Sequence, residues 1–136
     1  MNFADVRLCL EKDGWPVDPV SETTLRSRFR GQSRIFPLFV HFERSHAIFA
    51  VIPFTHVPRE AEESDPMVTR LLELNRDMNM AKFSIDEDDD VVLSVEYPLA
   101  DLDPSEVRDA VDVLSFYADK YFAEVAKLAG EEPPAS

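Results

Sequence analysis

The sequence predicts an α+β domain with an antiparallel five-stranded sheet packed by helices, and three observations carry that expectation. First, residues 35–54, IFPLFVHFERSHAIFAVIPF, hold two apolar runs, Ile35–Phe42 and Ala47–Phe54, around a polar break, Glu43–His46. Runs this short, rich in β-branched and aromatic residues, form strands, and the break has the length of a hairpin turn. Second, from residue 107 to 128 apolar side chains recur at three- and four-residue steps behind Asp103-Pro104-Ser105-Glu106. That is a long amphipathic helix opened by an Asp-led capping box with proline at its first position. Third, helical and strand periods follow the order αβββαββα with no repeat, low-complexity block or linker. One domain over residues 1–130 is expected, with a disordered tail over 131–136.

The central hairpin is apolar in both phases. Ile35, Phe39 and His41 share one phase of the first strand, and Phe36, Leu38, Val40 and Phe42 the other. In the second strand Ala47, Phe49 and Val51 oppose Ile48, Ala50, Ile52 and Phe54. An antiparallel sheet with one wet face alternates apolar and polar residues, so both faces of this hairpin are expected to be covered. A helix, the proline-containing connectors or another chain would have to cover the second face.

The remaining elements follow in order. Phe3, Val6 and Leu10 line one side of a short helix over residues 2–13, which Gly14 ends. Trp15-Pro16-Val17-Asp18-Pro19 reads as an ordered connector. Residues 23–30, TTLRSRFR, alternate cleanly: Thr23, Leu25, Ser27 and Phe29 face one way, Thr24, Arg26, Arg28 and Arg30 the other. This is a strand with a basic outer face. Thr55–Asp65 reads as a loop. Ser64-Asp65-Pro66 then looks like a helix start, with Val68, Leu71, Leu72, Asn75 and Met78 on one face. Lys82–Ile85 and Val91–Tyr97 are two more strands around the acidic turn Asp86–Asp90, and Gly130 ends the last helix.

Composition narrows the function classes. The 136 residues suit one core of ordinary size, and ten Phe make it aromatic-rich. The net charge is −13, with residues 1–68 at −2 and 69–136 at −11. Nucleic acid and anionic membrane are therefore not expected partners, since phosphate binding needs clustered Lys and Arg. The one cysteine, Cys9, excludes an internal disulfide and a Cys-based zinc site, and it sits in an apolar stripe. MNFADVRLCLEKDGW lacks a signal-peptide pattern, and no apolar stretch approaches the ~20 residues of a membrane span, so a cytoplasmic location is expected.

No catalytic, cofactor or metal site emerges. An EF-hand loop from Asp86 would need Gly and Glu where Val91 and Tyr97 stand. His41, His46 and His56 cannot converge within one chain, because His56 lies roughly 30 Å along the strand from His46. No GxSxG accompanies the serines, and three scattered glycines make no phosphate-cradling loop. The one concentrated basic feature is Arg26, Arg28, Arg30 and Arg34. It suits a carboxylate-rich peptide or the acidic half of another subunit, or else forms a solvated outer strand face.

Four strings resemble a known family: Leu10-Glu11-Lys12-Asp13-Gly14-Trp15-Pro16-Val17, Leu25-Arg26-Ser27-Arg28-Phe29-Arg30-Gly31, Phe36-Pro37-Leu38-Phe39-Val40, and Leu71–Asn79 leading to Lys82–Asp86. Together they resemble the YbjN-like bacterial sensory-transduction regulators, whose domains take a type III secretion chaperone-like fold. The resemblance implies a non-enzymatic, protein-binding regulatory or chaperone-like module with no catalytic or cofactor residues. A dedicated secretion chaperone for one effector and a small-molecule sensor are the alternatives. It also implies a homodimer, since secretion chaperones are typically dimers and another chain is one of the three possible covers of the second sheet face.

Overall fold

The computed structural model describes residues 1–131, so the tail expected over 131–136 lies outside the described residues except for Glu131. The elements are α1 (Phe3–Lys12), β1 (Asp18–Pro19), β2 (Thr24–Arg30), β3 (Ile35–Glu43), β4 (His46–His56), α2 (Ala61–Asp77), β5 (Lys82–Ile85), β6 (Asp90–Pro98) and α3 (Pro104–Leu128). The strands form one sheet, ordered β1-β2-β3-β4-β6-β5, with every neighbouring pair antiparallel.

The sheet has six strands rather than five because the connector after Trp15 contributes one. Asp18 pairs with Arg26 and Pro19 with Leu25. Two residues carry no period, so the pattern alone does not reveal them. The second helix also departs from expectation. It starts at Ala61, with Glu60 as a cap that makes no side-chain bond, and Pro66 lies inside it. A proline there removes one helical donor, and the carbonyl it deprives belongs to exposed Glu62 in the first turn, where water can serve it. Acidic Glu62 and Glu63 favour this earlier start through the helix dipole. Its buried face is Met67, Leu71, Leu74 and Met78, while Leu72 is exposed.

α3 behaves as its sequence dictates. The Asp103 side chain accepts from the amides of Ser105 and Glu106, and the Glu106 side chain accepts from the Asp103 amide. The Ser105 hydroxyl, with these amides, holds the Asp103 carboxyl below its ordinary range. The long helix lies across β4 and β6, with α1 and α2 beside it. Val107, Ala110, Leu114, Ala118 and Val125 are fully buried.

The core lies between this helical layer and one face of the sheet. Leu25 and Phe29 of β2, Phe36, Leu38 and Val40 of β3, Phe49 and Val51 of β4, and Leu93 and Val95 of β6 point into it. At one end the aromatic rings interlock: Phe36 lies 5.3 Å from Phe29, 5.9 Å from Phe54 and 5.4 Å from Phe122, centroid to centroid. Phe54 joins them because the β4–β6 register shifts between Val51 and Thr55, where the Ile52–Pro53 peptide is cis. By simple alternation Phe54 would share a face with Ile48, Ala50 and Ile52. The irregularity, which places two more residues on β4 than on β6 between those pairs, turns it inward. No helix among the described residues is long and apolar enough to cross a membrane.

Candidate protein-binding surface

All three helices pack on one face of the sheet, and the connector residues Trp15 and Val17 join the same core. No described element covers the outer face, so of the three covers the sequence allows, the helices and the connectors pack on the other side and another chain is left. Apolar periodicity reports that a surface is buried, but not whether its own chain does the burying.

Register fixes the composition of that outer face. One row runs Arg26, Phe39, Ala50, Ser94, Lys82 across β2, β3, β4, β6 and β5. The adjacent row is Thr24, His41, Ile48, Glu96. Pro37 opposes Arg28 on the other side, and Val92 opposes Ser84. The centre is thus an apolar stripe of Phe39, Ile48, Ala50, Ile52 and Val92, bounded by charge at both edges. Ala50 and Val92 are buried yet stand outside the core cluster, so their neighbours on this face shield them.

The two charged edges differ. On β5 and β6, Lys82 and Glu96 pair at 2.9 Å and neutralise each other. On β2, Arg26 lies 3.9 Å from Asp18, whereas exposed Arg28 and Arg30 make no ion pair among the described residues. Arg34 stands apart from this row. Its guanidinium lies over the rings of Phe36 at 5.2 Å and Phe122 at 5.0 Å, and its Nε donates to the Ile35 carbonyl. The sequence grouped four arginines, and the structure aligns three of them. β2 carries Arg26, Arg28 and Arg30 on alternate positions of one strand, while Arg34 precedes β3 and caps the aromatic end of the core. The apolar stripe beside the arginines was legible as one phase of β3 and β4. Its continuation through Val92 and Ser94 became visible only with the strand order.

The other candidate chemistries are locally accounted for. Each histidine has a neighbouring partner: His41 Nδ1 is 2.7 Å from Thr24 Oγ1, His46 Nδ1 is 3.1 Å from Ser45 Oγ, and His56 Nδ1 is 2.6 Å from Asp90 Oδ1. Burial, with the nearby Asp13 charge, pushes the Cys9 thiol upward, away from reactivity. A groove of about 760 Å³ between α2 and α3 is open, and its Arg70 is already bound to Glu124 at 2.6 Å.

In the β5–β6 turn, ligand atoms of Asp86, Asp88 and Asp90 lie within 4.8 Å of one another. Asp86 Oδ1, however, accepts from the amides of Asp88 and Asp90, so this carboxylate shapes the turn. Replacing Asp88, Asp89 and Asp90 with Asn is expected to leave folding unchanged. Asp89 has φ 59°, a conformation Asn tolerates well. Calcium is likewise expected to leave the melting temperature of the unmodified protein unchanged. A calcium-dependent rise that the triple variant loses would establish a cation site.

The family model described as "T3SS (YopN, CesT) and YbjN peptide-binding chaperone 1" matches residues 21–133. The chain belongs to this family. Solved structures agree in fold. YbjN from E. coli superposes with a TM-score of 0.68 at 14% identity, covering 91% of this chain and 93% of that one. The ExsC–ExsE complex gives 0.64 at 18% identity, with 100% of both chains covered. The heterodimeric ExoU–SpcU complex of the type III secretion system of Pseudomonas aeruginosa gives 0.61 at 18% identity, over 90% of this chain and 95% of that one. No curated protein sequence matches the chain.

Proposed function

We propose that this member of the peptide-binding chaperone family is a non-enzymatic, cytoplasmic module that holds a segment of a partner protein on the outer face of its sheet. The observation that carries this reading is the half-buried apolar stripe Phe39, Ile48 and Ile52, on a sheet face that no described helix covers. Membership of the family supports it, as do two similar folds solved as two-protein complexes, ExsC–ExsE and ExoU–SpcU. Likeness to YbjN favours a regulatory output over dedicated service to one secreted effector. A small-molecule sensor would need an enclosed apolar pocket with convergent polar groups, and the open groove between α2 and α3 does not fit that need.

Self-association belongs to the same reading. Leu72 on α2 and Ile85 on β5 are 66% and 41% exposed, at the edge of the sheet opposite β2. A dimer formed there leaves the arginine edge free. Light scattering during size exclusion at ~0.15 M salt is expected to give about twice the 15.5 kDa chain mass. A single-chain mass over a broad concentration range would remove the dimer from the reading.

The binding role is tested with an immobilised peptide library. The unmodified protein is expected to retain on a subset of peptides, and a Phe39→Asp/Ile48→Asp variant with an unchanged melting temperature to lose that retention. Equal retention by the two proteins would place binding elsewhere.

A further inference from the structure

We propose that the outer face selects an apolar segment whose flank is acidic, with carboxylates meeting Arg28 and Arg30 while its apolar side chains lie on Phe39, Ile48 and Ile52. The inference rests on the peptide-binding reading and supplies the chemistry of the partner. Its starting point is an inversion of charge. The chain carries −13, yet on the β2 side of the apolar stripe Arg28 and Arg30 pair with no acid among the described residues. The acids of this face on β3 and β6 that no Lys or Arg neutralises, Glu43 and Asp90, stand at strand ends. Alternate residues of a strand share a face at roughly 6.8 Å intervals, so the arginines form a straight row along one side of the stripe. A guanidinium presents a planar fork that a carboxylate meets with two parallel hydrogen bonds.

The acidic remainder of the molecule does not cancel this preference. α2 and α3, where much of the acid sits, occupy the opposite side of the sheet. At physiological salt the screening length is about 8 Å, less than the roughly 10 Å from a sheet to the layer packed on it. Arg28 and Arg30 therefore set the field along the β2 side of the outer face, with the acidic Asp86–Asp90 turn lying across the sheet at the β5–β6 end.

A second copy of this chain fits the face poorly. Pairing two outer faces about a two-fold axis through β4 lays the β2 arginines on their own counterparts, when the axis crosses the strands. When the axis runs along the strands, it lays Arg26 level with Lys82 and Arg28 level with Ser84, so that only Arg30 would meet acid, at Asp86. The acidic helices of a copy could reach the row only head to tail, a contact that does not close into a dimer. The occupant consistent with the charge is a segment of a different, acidic protein.

Three fluorescein-labelled 12-residue peptides test this by anisotropy at ~0.15 M salt. They share an apolar stretch of alternating Leu and Val and carry three Glu, Gln or Lys residues at one flank. The unmodified protein is expected to bind the Glu peptide at least tenfold more tightly than the Lys peptide, with Gln between. In the Arg28→Glu/Arg30→Glu variant the order is expected to reverse. A misfolded variant would lose all three peptides, whereas a reversal requires an intact face with altered charge. Equal binding of the three peptides, or the same order in the variant, overturns the acidic preference while leaving the peptide-binding reading standing. Binding of none of them by either protein overturns both. Tighter binding of a single-stranded oligonucleotide than of the Glu peptide replaces the acidic protein with a nucleic acid.

Discussion

Phe36→Ala is expected to destabilise the fold by about 3–5 kcal/mol, enough to lower the melting temperature by roughly 10–20 °C. Phe36 is fully buried, and its ring contacts Phe29, Phe54 and Phe122, while the Arg34 guanidinium closes the remaining side. Truncation removes the burial of one aromatic ring and opens a cavity between three others. None of the three can fill it, because each is anchored on a different element: β2, β4 and α3. Chemical denaturation measures the effect, with the urea slope checked so that a lower midpoint reports stability. A midpoint near that of the unmodified protein would show that the aromatic cluster is not packed as described.

Gly31→Ala is the second large effect, and it acts through the same ring. A Cβ at residue 31 would stand 2.6 Å from Phe36 Cε2 and 2.5 Å from Asp119 Oδ1. Asp119 can swing aside only by giving up the Gln32 amide, which it accepts at 2.8 Å. The Phe36 ring has no free direction. Overpacking of this kind costs about 1–3 kcal/mol. A Phe36→Leu replacement removes the ring atoms in the way, so the Gly31→Ala/Phe36→Leu double variant should lose less stability than the two single variants combined. Strict additivity in that cycle would mean that the clash is relieved elsewhere.

The glycine explains part of what could and could not be read in advance. Elements with a period or a cap were legible: α3 from its capping box and stepwise apolar residues, β2 from strict alternation, and the central hairpin from its composition. Phe49 was placed mid-strand and is fully buried. Features arising from three-dimensional placement were not legible. Gly31 looks like an ordinary turn residue until the Phe36 ring and Asp119 are beside it. Phe54 has the wrong phase until the irregularity in β4 rotates it. Ser64-Asp65-Pro66 resembles a helix start, but acidic residues upstream extend the helix past the proline. In the candidate site, the Arg26, Arg28 and Arg30 row was visible from alternation alone. Arg34 belonged with it only by proximity in sequence, and its aromatic neighbours drew it away.

The strand order carries a further consequence, for the chain while it is being synthesised. β2, β3 and β4 are consecutive and can pair as soon as residue 56 has emerged, but the partner on the far side of β4 is β6, not the next strand in sequence. β6 is complete only at Pro98, roughly 40 residues and about 2–8 s of translation later. Through that interval β4, the longest strand of the sheet and apolar in both phases, stands as an unpaired edge. On a crowded polysome, neighbouring nascent chains expose the same edge at the same stage, and β4 can pair with its own copies before β6 arrives. How quickly residues 57–98 follow therefore fixes how long that edge stays open.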